Sequence, residues 1–376
     1  MTDKAAVFFE RCVDGVKKLK PYEPGKPISE LQRELGLDDI VKLASNENPL
    51  GPSPRAVAAI RAAVDDLALY PDGNGFELKR AIGARHDVAM DRITLGTGSD
   101  HILELVARVF LGPGRSAVMS RYAFAIYTIV SQAAGAALRI ADANPTGHPM
   151  PYGHDLEAMA ALIDDSTRVV FIANPNNPTG TWVDRASLRT FLADVPSDVA
   201  VVVDEAYFDF VEAAEYPDCS KLLDEFSNLI VLRTFSKAYG LAGVRVGYAL
   251  SSAPITDLLN RVRLAFNPNS LAQVAAVAAL DDVEHLKKTV NLNRTELARM
   301  QKELKALGLA TIPSVCNFVT ADMGRPGREV FADLLKEGVI TRPLDGYGLP
   351  NHLRISVGLP EENDKLFSVL PRVLGD

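Results

Sequence analysis

The sequence predicts an α/β protein: a large domain built on a mostly parallel sheet covered by helices, followed by a smaller α+β domain. Three observations carry that expectation. From Lys42 to about Ser252, short runs rich in Val and Ile alternate with helix-patterned segments, which is how a parallel sheet with helical crossovers reads. Those runs end in polar residues, and in open α/β sheets ligands gather beyond the carboxyl ends of the strands. After Pro254 the alternation gives way to long helical stretches, 272–280 and 284–307, then strands near 317–321 and 352–357 with a helix between them. The expected division is an N-terminal arm over 1–40 that joins the small domain, a large domain over 41–255 and a small C-terminal domain over 256–376. A length of 376 residues suits two domains better than one.

The elements follow in chain order. The arm holds the Pro-rich piece Pro21-Tyr22-Glu23-Pro24-Gly25 and is too short for a domain of its own. Ser53 before Pro54 is a cap and first-turn pair for a helix reaching Leu67, with Val57, Ile60, Ala63 and Val64 on one face. Leu95-Gly96-Thr97-Gly98-Ser99-Asp100 is a Gly-rich turn opening a helix over 100–111, whose apolar face is Ile102, Leu105, Val106 and Val109. The clearest strands are 168–173, 199–203, 229–233 and 244–250.

Composition narrows the function classes. Hydrophobic residues make up 47% and charged residues 23%, the balance of an ordinary globular chain, and a net charge of -8 offers no positive field for nucleic acid. Three scattered cysteines, Cys12, Cys219 and Cys316, suggest neither a disulfide framework nor a metal site. No apolar stretch approaches the roughly 18 residues of a membrane span, and the start Met1-Thr2-Asp3-Lys4 leads into no secretory segment. A cytoplasmic protein without a membrane partner is expected. There is no internal repeat or low-complexity tract.

The chemistry concentrates at the strand ends. Thr234-Phe235-Ser236-Lys237-Ala238-Tyr239-Gly240 directly follows the strand 229–233, and a lysine desolvated there can act as an amine nucleophile toward a carbonyl. Thr234, Ser236 and the later Arg245 supply donors suited to a phosphate. The strand 199–203 runs into Asp204-Glu205-Ala206-Tyr207, and an acid leaving a buried strand is costly without a cationic partner. A protonated ring nitrogen of a cofactor is such a partner, and the carboxylate would keep that nitrogen charged. Asn174-Pro175-Asn176-Asn177-Pro178-Thr179-Gly180 follows a third strand; it reads as a turn, or as a rigid loop that aims the Asn177 amide at a ligand oxygen, with Tyr207 alongside. The amides of the turn at 96–100 can take up a phosphate, a weak signal when alone.

Together these stretches resemble the fold-type-I pyridoxal-phosphate aminotransferases, and within them the histidinol-phosphate aminotransferases, over nearly the whole chain. The closer resemblance rests on Ser45-Asn46-Glu47-Asn48-Pro49-Leu50-Gly51-Pro52, on Tyr70-Pro71-Asp72-Gly73, and on Arg342-Pro343-Leu344-Asp345-Gly346-Tyr347-Gly348 followed by Asn351-His352-Leu353-Arg354. It implies that Lys237 carries pyridoxal 5′-phosphate as a Schiff base and then moves the proton in a ping-pong transamination with glutamate. Asp204 would pair with the pyridine nitrogen, Asn177 and Tyr207 would bind the ring oxygen, and Tyr122 would stack on the ring. Ser99, Asp100, Thr234, Ser236 and Arg245 would surround the phosphate, joined by Tyr70 from the partner subunit of a homodimer. Arg354 would clamp the substrate carboxylate, while Asn46, Tyr22 and Arg342 would complete the substrate site.

Two departures from the family pattern bear on the substrate. Met119-Ser120-Arg121-Tyr122-Ala123-Phe124 lacks the proline and threonine common before the stacking tyrosine, and Ala265 stands where proline is frequent. They keep two alternatives open on the same fold: an aromatic-amino-acid aminotransferase and an amino-acid-phosphate decarboxylase. A non-catalytic regulatory domain would call for a fused DNA-binding segment, and the arm is too short and too poor in basic residues for one.

Overall fold

The computed structural model describes residues 4–17 and 19–375; residues 1–3, 18 and 376, which include the start of the expected arm, lie outside the described residues. Among the described residues thirteen strands run in chain order: β1 (Val41–Lys42), β2 (Ile93–Gly96), β3 (Ser116–Ser120), β4 (Ala137–Ala141), β5 (Thr167–Ala173), β6 (Ala200–Asp204), β7 (Leu229–Thr234), β8 (Gly247–Ser251), β9 (Thr311–Ile312), β10 (Phe318–Asp322), β11 (Val339–Ile340), β12 (Arg342–Leu344) and β13 (Leu349–Ser356). Seven of them form the main sheet in the order β2-β8-β7-β6-β5-β3-β4. β3 to β7 pair parallel, and β8 runs antiparallel to both its neighbours, so the sheet is mostly parallel as the sequence predicts.

Both faces of this sheet are buried across its central strands, which explains why these read as unbroken apolar runs, while the edge strand β4 is largely exposed. Side chains alternate between faces along a strand. Val170, Ile172, Val201, Val203, Leu229 and Val231 enter one core, while Val169, Phe171, Val202, Ile230 and Leu232 enter the other. Each fully buried side chain of this size contributes about 1.5–3 kcal/mol of transfer free energy. The helix Ser99–Phe110 covers the second face with Ile102, Leu105 and Val106, and Val109 packs at its margin, matching the expected apolar stripe. Ser53 caps the helix Pro54–Ala63 by accepting from the amides of Arg55 and Ala56; the α-helix ends earlier than expected, and a 3-10 turn over Val64–Asp66 finishes it.

The helices Ala253–Val262 and Ser270–Asp281, which the sequence assigns to the smaller domain after residue 255, bury Leu259, Ala272, Ala275 and Ala276 in the cores of the main sheet. A four-stranded antiparallel sheet, β12-β13-β10-β9, packs with the helices Val283–Ala306, Gly327–Lys336 and Pro360–Leu374 around a separate core. The N-terminal segment joins that unit. β1 pairs parallel with β11, Leu43 enters its core, and Leu31 of the helix Ile28–Leu35 packs against Ile340. Among the described residues no helix is long and apolar enough to cross a membrane.

Candidate active site

The polar ends of β5, β6 and β7 open into one cavity of about 310 Å³ between the main sheet and the N-terminal and small-sheet segments. β6 delivers Asp204 as its last residue, at the carboxyl edge of the sheet. Asp204 is buried; its Oδ2 accepts from the Tyr127 hydroxyl at 3.0 Å and its Oδ1 from the Ala206 amide at 3.2 Å. Loss of water pushes its pKa up to about 6, and the two hydrogen bonds oppose that rise only in part.

β7 delivers Thr234, and the turn that follows carries Lys237 to the cavity floor. The Lys237 amine donates to the Ser45 carbonyl at 3.1 Å and sits 5.7 Å from the centre of the Tyr207 ring. Although part of the side chain borders the open cavity, the amine is enclosed by protein, and desolvation, helped by the nearby Arg354 charge, lowers its pKa to about 8. Tyr207 is buried, and burial raises its pKa, so its hydroxyl keeps its proton. It accepts from the Asn46 amide at 2.8 Å.

The other end of the cavity is basic. Arg354 on β13 donates to Asn177 Oδ1 and to the Ala44 carbonyl, each at 2.6 Å, while its buried Nε has no partner in the protein. The bond to Oδ1 leaves the Nδ2 donors of Asn177 free for a ligand. Arg342 on β12 is the register partner of Arg354 across the antiparallel pair, and its guanidinium lies over the Tyr22 ring at 5.8 Å. Two guanidiniums thus reach one cavity from adjacent strands.

At the opposite corner, Ser99 and Asp100 begin the helix Ser99–Phe110. Arg245 donates to Asp100 at 2.9 Å and to the Ser236 hydroxyl at 3.2 Å. It does so from the left-handed region, φ 60°, a conformation that costs a non-glycine residue about 1–2 kcal/mol. Gly98, at φ 83°, makes room: a Cβ there would collide with the Arg245 guanidinium and with Asp100. Free helix amides, a hydroxyl and a guanidinium form a cradle for a phosphate.

Thirteen of the residues expected from sequence line this cavity: Tyr22, Asn46, Ser99, Asp100, Asn177, Asp204, Tyr207, Thr234, Ser236, Lys237, Arg245, Arg342 and Arg354. Tyr122 and Tyr70 do not. Tyr122 packs edge-on against Tyr152, and from its own segment Phe124 and Tyr127 line the cavity instead. The chain turns after β3, so the residue just before the helix Ala125–Ala133 is the one aimed at the strand ends. Tyr70 is 80% exposed and stacks on Phe266 with ring centres 4.4 Å apart. Sequence reading also passes over Tyr127 and Ser45. The spacing of Tyr127 from Phe124, one helical turn, was the available signal for a side chain pointing the same way.

A family model, aminotransferase class I and II, matches residues 38–370. The chain belongs to that family. Within this aminotransferase family it is 56% identical over 369 residues to histidinol-phosphate aminotransferase 2 of Pseudomonas aeruginosa, covering 98% of each chain. It is 54% identical over 363 residues to histidinol-phosphate aminotransferase 2 of Methylococcus capsulatus, covering 96% of this chain and 98% of the other. Its fold is similar to the crystal structure of histidinol-phosphate aminotransferase from Sinorhizobium meliloti in complex with pyridoxal-5′-phosphate, at TM-score 0.87 and 29% identity over 97% of both chains. The L-threonine-O-3-phosphate decarboxylase of Porphyromonas gingivalis shares the aminotransferase fold, at TM-score 0.77 and 20% identity over 90% of this chain and 100% of that one.

Proposed function

We propose that this chain is a histidinol-phosphate transaminase that works with pyridoxal 5′-phosphate. It moves an amino group from glutamate to imidazole acetol phosphate, giving 2-oxoglutarate and histidinol phosphate, a step of histidine biosynthesis in the cytoplasm. The observation that carries the reading is the desolvated Lys237 amine, set in one cavity with the buried Asp204 and the paired guanidiniums of Arg354 and Arg342.

The residues present fit the cofactor. Asp204 is a buried acid whose hydrogen-bond partners are both uncharged, so a ring N–H⁺ would supply the missing cation and draw its pKa back down. The Ser99 helix start, Thr234, Ser236 and Arg245 suit a phosphate, with Arg245 offsetting Asp100. Phe124 offers a face to an aromatic ring. When bound, pyridoxal phosphate supplies an electrophilic carbonyl and an electron-withdrawing ring.

The protein's part is to bind, orient and move protons. With a pKa of about 8, Lys237 is uncharged in roughly a tenth of molecules at pH 7, a few hundredfold more than an unperturbed lysine. Tethered at the cavity floor, it can take the proton from the substrate α-carbon and return it elsewhere. Asp204 holds positive charge at the far side. The unpartnered Nε of Arg354, and the edge around it, can take a carboxylate. Arg342 with Tyr22 meets the distal anion, a phosphate monoester in one half-reaction and the glutamate side chain in the other. The exposed Tyr70, beside exposed Leu67, Leu69 and Phe266, supports a homodimer in which each subunit completes its neighbour's site.

The test is a coupled assay of the cofactor-loaded protein with histidinol phosphate and 2-oxoglutarate, run beside phenylalanine, tyrosine and phosphothreonine. Histidinol phosphate should lead the aromatic donors by at least about 2 kcal/mol in kcat/KM, the value of a charged contact to the phosphate. Arg342→Ala should erase most of that lead. An equal loss on every donor, or carbon dioxide release from phosphothreonine as the main activity, would refute the assignment.

A further inference from the structure

Tyr207 lines the cavity, and what decides where its hydroxyl proton points begins at Ser356, a residue outside the cavity lining. The Asn46 amide donates to the Tyr207 oxygen at 2.8 Å. Asn46 in turn is held twice by Ser356, the last residue of β13. The Asn46 backbone N–H donates to Ser356 Oγ at 2.8 Å, and Ser356 Oγ donates to Asn46 Oδ1 at 2.9 Å. All three residues are almost fully buried: Asn46 is 1%, Ser356 3% and Tyr207 3% exposed. Asn46 also sits at φ 54°, in the left-handed region, and its carbonyl accepts from the Asn317 side chain at 3.0 Å.

We infer that Ser356, acting through Asn46, is a positioning residue that sets the direction of the Tyr207 proton. A serine hydroxyl has one proton. Because Ser356 Oγ already accepts from the Asn46 backbone, its proton is free to go to the Asn46 side chain, and only the oxygen end of that amide can accept it. The nitrogen end must then face Tyr207. Tyr207 accepts there, so its own proton is left for the cavity. With the amide turned over, Asn46 Oδ1 would face Tyr207, capture its proton and leave the Ser356 hydrogen buried without an acceptor. Leaving a buried donor without an acceptor is costly enough to hold one orientation. A serine on the small sheet therefore controls a hydrogen bond donated in the large one, and Arg354, two residues earlier on the same strand, is fixed in register with it.

The inference rests on the proposed cofactor chemistry, in which Tyr207 donates to the ring oxygen. A bond donated to that oxygen draws electron density away from the proton shared with the lysine nitrogen, so losing the bond raises the pH at which that proton is released. The experiment is a spectrophotometric pH titration of the visible band in the loaded protein, with thermal unfolding recorded for every variant. Wild type without a visible band would remove the cofactor reading itself. Given a band, Tyr207→Phe should move its midpoint upward by about one pH unit, the worth of one charged hydrogen bond. Ser356→Ala should move it in the same direction, Asn46→Asp likewise, and Ser356→Thr, which keeps the hydroxyl, should restore the wild-type midpoint. The double variant Ser356→Ala with Tyr207→Phe should titrate as Tyr207→Phe alone. A Ser356→Ala protein that titrates as wild type while Tyr207→Phe is shifted, or a double variant whose shifts add, would overturn the relay.

Discussion

Tyr127 shows how one uncharged group can tune the acid of this site. Its hydroxyl is buried, stays protonated because burial raises its pKa, and has the Asp204 carboxylate as its acceptor. Removing the hydroxyl leaves Asp204 with one donor fewer, so its pKa should rise above about 6 and the ionised fraction near neutrality should fall. In the unloaded protein, to which that pKa belongs, Tyr127→Phe is therefore expected to weaken the affinity for pyridoxal phosphate, read by fluorescence titration, roughly tenfold to a hundredfold at pH 7, from the value of a hydrogen bond to a charged group. Because a raised carboxylate pKa is outrun by raising the pH, the deficit should narrow toward pH 9. A pH profile parallel to wild type would assign Tyr127 to packing alone, through its stack on Phe171 at 4.9 Å. At this scale the sequence was readable where chemistry and backbone pattern coincide. Asp204 and Lys237 stand out because each closes or follows a buried β-branched run. Phe124 and Tyr127 do not, because a ring beside a core looks like more core, and only the start of the helix at Ala125 separates the ring that faces the cavity from Tyr122, which does not.

Among the elements, the contact of β8 with the start of the helix Ser99–Phe110 governs the phosphate corner. A Cβ on Gly247 would lie 2.7 Å from the Ser99 backbone nitrogen and 2.9 Å from the Gly98 carbonyl carbon. Both are backbone atoms and cannot swing aside. Gly247→Ala should push the helix start away from Arg245 and weaken cofactor affinity by an order of magnitude or more, about 1.4 kcal/mol per factor of ten, while leaving melting of the unloaded protein within a few degrees. Fluorescence titration with pyridoxal phosphate measures it, and unchanged affinity would mean that the helix start does not hold the phosphate. The strand expected at 244–250 begins three residues later, at Gly247. Val244 is apolar but belongs to the turn, where Arg245 takes a left-handed conformation that ends any strand pattern. Periodicity cannot see that constraint, since it lies in the backbone angle and not in hydropathy. The helix at 272–280 was legible as a helix, but which core it covers was not, because an apolar stripe of alanines fits either sheet.

For the molecule as a whole, the most exposed part of the expected site is Tyr70, and a homodimer gives it a destination. Two inactive variants test this together. A Lys237→Ala subunit lacks the amine but can lend its Tyr70, and a Tyr70→Ala subunit keeps the amine but lacks the loan. After mixing and subunit exchange, hybrid dimers should regain a working site, so activity should rise well above that of either variant alone. Activity that stays at the level of the separate variants would confine each site to a single chain. Sequence alone could point to sharing only through the resemblance around Tyr70-Pro71-Asp72-Gly73, because a surface aromatic carries no local mark of what will cover it.

The pairing of β1 with β11, and the bond from Arg354 to the Ala44 carbonyl across 310 residues of chain, also set a timetable. The sheet that carries Lys237 and Asp204 can assemble while the last hundred or so residues are still being translated, since domains form as their residues emerge. The wall containing Tyr22, Ser45 and Asn46 cannot, because its anchors on β11, β12 and β13 are made last. A nascent chain therefore holds the amine and the acid before it holds the guanidiniums that would orient a substrate, and the lysine acquires its acceptor at Ser45 only as synthesis ends.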